Sequence, residues 1–311
     1  MFLDDSPEFI SSVSQTIHHK FPQAHFNAAI NAIDYLVGKK SLYSSLNDFL
    51  YSQPVDDEIE TSDSINYEAI ISLIYNVKRF GEVATIVIDY SMPNMNGVDF
   101  CKNIENLPVR KILLTGEVGY DVAVDAFNSG LIHSFVSKGG SKMFAEVNTA
   151  ITNLNMNYFL RFSQAIAGEY TTFHNTHPAY ISVVDQFMAQ HDIIEYYQVD
   201  CFGSFLGFDL EGNSTWLIFS PEQEILEYID IAKSSAASED VIYALATRNY
   251  ILGLVTETLK KESVAEWNNY LFPITDTIIT DEKYYYAIVK DNKLGIDTQK
   301  IKPLAAYFCK Q

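Results

Sequence analysis

Three short apolar runs constrain this chain more than any other feature: VATIVIDY (83–90), VRKILLT (109–115) and LIHSFVS (131–137). A strand apolar on successive residues, rather than on alternate ones, buries both of its faces. Sheets buried on both faces are the parallel sheets of α/β proteins. Helical patterns fill the gaps, VDFCKNIEN (98–106) after the first run and residues 119–128 after the second. Upstream, residues 8–20 carry apolar positions at helical spacing. Residues 24–37 read as a short extended piece and a helix stopped at Gly38. Strands alternating with helices at this spacing predict an α/β fold, a doubly wound five-stranded parallel sheet.

The remaining stretches have another character. Between 39 and 80, two helical patterns (42–51 and 66–79) flank PVDDEIETSDS, a polar acidic stretch that reads as a solvated loop. Residues 141–168 are helical in pattern and can run on as a connector. Beyond them, 196–219 reads as two strands joined by a turn at Glu211-Gly212-Asn213. Helical patterns follow at 222–233 and 239–261, and 284–297 reads as a second hairpin turning at Asp291-Asn292-Lys293. This half is expected to be an α+β domain with antiparallel hairpins. At about 100–200 residues per domain, 311 residues correspond to two domains.

Composition excludes several classes. With 48% hydrophobic residues the chain can bury packed cores. No apolar run approaches the ~18–20 residues that span a bilayer, and the acidic start MFLDDSPEF is no signal peptide. Cys101, Cys201 and Cys309 are odd in number and far apart, which suits reduced thiols in a cytoplasmic protein. The net charge is −19. Residues 1–140 hold 18 acids and 9 bases, and residues 141–311 hold 22 acids and 12 bases. Neither half offers the clustered Lys and Arg that a nucleic-acid surface needs.

In an open parallel sheet, ligands bind outside the carboxyl ends of the strands. The first strand would end at Asp4-Asp5, the next at Asp89, the next at Thr115 and the last at Lys138. Three clustered carboxylates repel one another unless a cation intervenes, and an all-oxygen donor set suits Mg²⁺. Asp89 can then act as an attacking carboxylate that forms an aspartyl-phosphate. The Lys138 ammonium and the Thr115 hydroxyl can each stabilise a phosphoryl oxygen.

FLDDSP (2–7), VIDYSMPNMNG (87–97), ILLTG (112–116) and AFNSGLIHSFVSK (126–138) resemble the CheY-like receiver domain of bacterial two-component response regulators. The resemblance covers residues 1–145. It implies that Asp4 and Asp5 are the Mg²⁺-binding acidic pair, that Asp89 is the phospho-acceptor, and that the Ser91 backbone carbonyl completes the metal site. It further implies Thr115 and Phe135 as switch residues and Lys138 as the phosphate-pairing lysine. The partner implied is a sensor histidine kinase or a phosphotransfer protein, with homodimerisation on phosphorylation. IYNVKRFGEV and KILLTGEVGYDVAVDAFNSGLIH resemble a subgroup of proteobacterial regulators that includes quorum-sensing ones. Three departures stand out. Asp5 and Asp89 lie 84 positions apart, about twice the family spacing, which makes 39–80 an insertion. Loop closure makes such an insertion inexpensive. Gly139 stands where most relatives have proline, and only three residues precede the first acids.

The expected organisation is a receiver at 1–145, a helical connector at 146–170 and an output domain of unknown type at 171–311. Other motifs weigh less. Alone, Asp89 would read as a turn residue and Phe135 as core. Met92 and Met95 read as packing beside the site, and Gly97 as turn geometry. His18-His19 point different ways on a helix, and His174 and His177 lack a third ligand close in sequence. Cys201 reads as a small hydrophobe in a strand, GSFLG (203–207) as strand, and 56–63 as a solvated loop with docking to a basic partner as its alternative. Three outputs follow: regulated interaction with a protein or small ligand, an enzyme of unrecognised chemistry, or a DNA-binding regulator. The −10 charge of residues 141–311 disfavours the last. Beyond the receiver's own phosphorylation and dephosphorylation chemistry, no enzymatic activity is expected.

Overall fold

The computed structural model describes residues 1–17, 22–39, 41–51, 64–116, 119–167, 177–235, 237–255, 259–279, 282–290 and 294–308. His18-His19, the acidic stretch 56–63, His174, Cys309 and the turn at 291–293 lie outside the described residues.

In chain order the elements are β1 (Phe2–Leu3), α1 (Pro7–Thr16), β2 (His25–Phe26), α2 (Ala29–Val37), β3 (Leu50–Tyr51), β4 (Ser64–Ile65), α3 (Tyr67–Ile74), β5 (Thr85–Asp89), α4 (Gly97–Asn103), β6 (Arg110–Thr115), α5 (Tyr120–Asn128), β7 (Ser134–Ser137) and α6 (Met143–Ala167). There follow α7 (Pro178–Gln190), β8 (Glu195–Gln198), β9 (Phe205–Phe208), β10 (Ser214–Pro221), α8 (Glu222–Ser234), α9 (Glu239–Ala246), β11 (Tyr250–Leu252), β12 (Leu271–Pro273), β13 (Asp276–Ile279), β14 (Lys283–Lys290) and α10 (Ala305–Phe308). They form two compact units, Met1–Ser45 with Lys78–Phe162, and Leu46–Val77 with Ser163–Gln311.

The first unit holds a five-stranded sheet in the order β2-β1-β5-β6-β7, with every pairing parallel. The apolar runs are continuous because each strand feeds two layers. Phe2, Val87, Ile112, Leu114 and Val136 pack with Val13 and Ile17 and with Met143, Val147 and Ile151 of α6. Leu3, Ile86, Ile88 and Leu113 pack with Ala32 and Leu36 of α2, Phe100 and Cys101 of α4, and Ala123 and Ala126 of α5. Short as it is, β1 is central, lying between β2 and β5. Strand order reverses between β1 and β5, and such a reversal opens a crevice at the carboxyl ends.

Residues 46–77 differ from the sequence-based division, which placed all of 39–80 within the first domain. The face of α3 that carries Tyr67, Ile70 and Ile74 is buried, and the Tyr67 ring lies 6.2 Å from that of Trp216 on β10. Asp297 N–H donates to the Tyr75 hydroxyl at 2.9 Å. The segment therefore supplies core to the second unit. The expected 42–51 helix is a 3₁₀ stretch over Leu42–Phe49, and 66–79 divides into α3 and a 3₁₀ turn over Val77–Gly81.

The second unit is α+β. Its main sheet runs β13-β14-β10-β9-β8, all antiparallel. The β9–β10 hairpin turns through Gly212 at φ +84°, with Asp209 accepting from the Asn213 N–H at 2.8 Å. The expected hairpin at 284–297 is absent. Instead β14 pairs upstream with β13 on one side and with β10 on the other, and residues 294–297 form no strand. The helix expected at 239–261 stops at Ala246. Arg248 takes φ +57°, a conformation that cannot continue a helix, and β11 follows.

Candidate functional site

The crevice between β1 and β5 collects the sequence-predicted acids. Asp4 follows β1 directly and Asp89 ends β5. Both are buried, whereas Asp5 is exposed. One carboxylate oxygen of each lies within 4.8 Å of the others. The chain holds Asp4 in place locally, since Ser6 donates its N–H to Asp4 Oδ1 at 2.9 Å. The Ser6 hydroxyl then caps α1 by accepting from Phe9 N–H at 3.1 Å, with Pro7 at the first helical position.

Lys138, one residue beyond β7, reaches across the sheet edge. Its ammonium sits 2.7 Å from Asp4 Oδ2 and 2.9 Å from Asp89 Oδ1. Beneath it the Phe9 ring lies 4.6 Å away. Burial alone would lower the Lys138 pKa. The hydrogen bonds and charges of Asp4 and Asp89 outweigh it, and the ammonium is held above its ordinary range. For Asp4 burial dominates and raises the carboxyl above its usual value, against the opposing pull of Lys138. Two buried carboxylates and an exposed third thus face one ammonium. That surplus of negative charge, with oxygen as the only donor type, fits a hard divalent cation held by Asp4, Asp5 and Asp89.

Thr115 ends β6 and is buried. Its carbonyl accepts from the Lys138 N–H at 2.9 Å, and its hydroxyl donates to the Gly116 carbonyl at 3.0 Å. Ser91 is exposed, two residues beyond Asp89. Phe135 on β7 is half-buried. Its ring meets Tyr120 edge-on at 5.6 Å and Phe127 at 6.0 Å.

Gly97, read from the sequence as turn geometry, has a close-packing role as well, and some other contributors escaped sequence reasoning. A Cβ at Gly97 would collide with the Asp89 carbonyl and reach 2.7 Å from Leu113 Cδ1, so only glycine lets α4 start against β5. A Cβ at Gly119 would strike Thr115 Oγ1 and come 2.7 Å from Tyr90 Cδ1. Gly119 thereby keeps the Thr115 hydroxyl clear. Phe9 and Tyr120 carried no motif signal, while Ser6-Pro7 did carry one, as a helix start. His177, which the sequence did not favour as a metal ligand, caps α7: its Nδ1 accepts from the Ala179 N–H at 3.2 Å. Cys201 lies outside the strands, in the loop between β8 and β9, and is exposed.

No protein-family model and no curated protein matches this sequence. Among solved structures, the chain is similar to the Legionella pneumophila response regulator LqsR. Identity is 28%, 99% of this chain and 92% of that one are covered, and the TM-score is 0.78. A signal receiver domain of an HD domain-containing protein from Pseudomonas fluorescens Pf-5 is 15% identical, covers 51% of this chain and 88% of its own, and has a TM-score of 0.34. A CheY-like receiver domain protein from Methanospirillum hungatei JF-1 gives 15%, 50%, 95% and 0.33. Scores this low carry no weight. The likeness to LqsR runs through both units and not through the parallel sheet alone, and on that ground the chain has the architecture of a response regulator, a receiver domain joined to an α+β domain.

Proposed function

We propose that this protein is a phosphorylation-dependent response regulator of the cytoplasm, with Asp89 as phospho-acceptor. One observation supports the reading above others: the Lys138 ammonium bridges two buried aspartates at the switch point of a parallel sheet. The donor is a sensor histidine kinase or a phosphotransfer protein. An Asp89 carboxylate oxygen attacks the phosphorus of the donor's phosphohistidine. The P–N bond breaks, its electron pair returns to the imidazole, and an acyl phosphate forms on Asp89. Hydrolysis of that bond returns the carboxylate and inorganic phosphate.

Asp4, Asp5 and Asp89, with the Ser91 carbonyl, would hold Mg²⁺. When bound, the ion offsets the clustered carboxylates and the charge of the incoming phosphoryl oxygens. Lys138 is already cationic and oriented, and it shifts from carboxylate to phosphoryl oxygen. Thr115 turns its hydroxyl from the Gly116 carbonyl to another phosphoryl oxygen. Phe135, between Tyr120 and Phe127, reports the change at the surface. The coupling expected of such a two-state switch is about 1–3 kcal/mol. The output is binding of a protein or small ligand, with dimerisation of the phosphorylated form.

Acetyl phosphate with Mg²⁺ is expected to add one phosphoryl group by intact mass, and Asp89→Asn to add none. Normal phosphorylation of that variant would sink the assignment.

A further inference from the structure

At the amino ends of β5 and β6, opposite the aspartates, a cavity of about 450 Å³ opens between three stretches of the first unit. These are the end of α2 with the residues after it, Glu82-Val83 ahead of β5, and residues 106–109 ahead of β6. The volume lies in the range of small-molecule sites, about 300–1,000 Å³. Leu36, Val83, Leu107 and Val109 give the cavity apolar walls, and Lys39 and Glu82 line it with one charge of each sign. Burial raises the Glu82 carboxyl above its ordinary range. Hydrogen bonds from the Tyr158 hydroxyl and the Leu42 N–H pull it down, and so does the charge of Lys39, which places the ammonium and the carboxylate within electrostatic reach of each other.

Both charged groups have hydrogen-bonding capacity left. Glu82 Oε1 accepts from the Tyr158 hydroxyl and, at 3.2 Å, from the Leu42 N–H, while Oε2 accepts no hydrogen bond among the described residues. Lys39 Nζ donates to the Gly81 carbonyl at 2.7 Å and lies 4.3 Å from the centre of the Tyr35 ring. An ammonium has three N–H donors, so two remain for a ligand. Neither charge sign alone suits such a lining. A simple anion would face Glu82, and a simple cation would face Lys39. A molecule that carries an ammonium and a carboxylate on one carbon meets each with the opposite charge. We propose that this cavity binds a free α-amino acid with an apolar side chain, its ammonium on Glu82 Oε2, its carboxylate on Lys39 and its side chain against Leu36, Val83, Leu107 and Val109. The site is independent of the phosphoryl reading, because it uses the opposite ends of the strands.

The test is isothermal titration of the full chain with L-leucine, L-phenylalanine, leucinamide, 4-methylpentanoate and glycine. Leucinamide lacks the carboxylate of leucine, 4-methylpentanoate lacks its ammonium, and glycine lacks its side chain. Leucine or phenylalanine is expected to bind, whichever is tighter naming the side-chain class. Leucinamide and 4-methylpentanoate should bind roughly tenfold more weakly than leucine, the worth of one charge-assisted hydrogen bond, and glycine not measurably. Lys39→Met should weaken leucine by a similar factor and leave leucinamide no weaker. Glu82→Gln should do the reverse, weakening leucine and sparing 4-methylpentanoate. Glu82 also holds Tyr158 and Leu42, so the Lys39 variant decides where Glu82→Gln fails to fold. Absence of binding by both leucine and phenylalanine would overturn the proposal. So would leucine binding indifferent to Lys39→Met, or an affinity for leucinamide or 4-methylpentanoate equal to that for leucine.

Discussion

Lys138 balances the charge of the aspartate pocket, and its removal should show this directly. Lys138→Met leaves Asp4 and Asp89 buried side by side with no cation. The expected loss is at the lower end of the ~3–5 kcal/mol found for breaking a buried pair, because the lysine is partly exposed. Urea denaturation measures it, and Mg²⁺ should restore part of it. The pH sign is the same for both partners, and the windows differ. The raised Lys138 pKa contributes stability at and below its ordinary value, lost as pH rises through the folded value. The raised Asp4 pKa likewise favours the folded state below the usual carboxylate range and ceases to do so as pH rises through its folded value.

Glu224 gives a residue-scale prediction in the second unit. Burial dominates there and pushes its carboxyl up to about 8, with Asp200 adding in the same direction. Hydrogen bonds from Ser220 at 2.5 Å and from Tyr228 at 3.3 Å pull the other way. Between its ordinary value of 4.5 and 8 the folded chain holds a proton that the unfolded chain has lost. Stability therefore falls as pH rises through that window, at up to about 1.4 kcal/mol per pH unit. Glu224→Gln should flatten the decline and raise the midpoint at pH 8 in thermal melts. An unchanged slope would count against the burial argument.

At the scale of elements, α5 and β6 meet through a position that only glycine fits. Gly119→Ala forces a methyl group into Thr115 Oγ1 and the Tyr90 ring. The cost should be about 1–3 kcal/mol of overpacking, with slower phosphorylation by acetyl phosphate because the hydroxyl is displaced. What was legible in the sequence divides by element in the same physical way. Strands β5 and β6 were readable because both faces are buried, β7 because Phe135 and Val136 feed opposite layers, and all three because their ends carry charged or hydroxyl residues. The acids and Lys138 were readable for the same reason. Phe9 under Lys138 was not, since an aromatic on a helix ordinarily signals core. In the second unit the register was not readable. Tyr284-Tyr285-Tyr286 marks a strand, but nothing local says whether its partner lies upstream or downstream, and β13 proved to be upstream. The end of α9 was hidden in Arg248, whose positive φ has no composition signal.

At the scale of the molecule, α3 is the element whose sequence position misleads, and Ile70 tests where it belongs. The residue is fully buried on the α3 face that carries Tyr67. Ile70→Ala should cost about 2–5 kcal/mol. Hydrogen exchange should show the loss in β10 and β14 while β5 and β6 keep their protection; loss confined to β5 and β6 would return the segment to the first unit. Phosphoryl analogues test the whole chain as well. Beryllofluoride with Mg²⁺ should shift size-exclusion elution toward a dimer, and an unchanged volume would count against dimerisation as the output.

The division of the chain has one more consequence. The backbone passes between the units three times, after Ser45, after Val77 and after Phe162. A single recombination event therefore cannot lift either unit out whole. Cut anywhere, the sheet with the aspartates carries away helix α3 or loses β5. The two units of such a chain are inherited together, and neither can be replaced by exchanging one half.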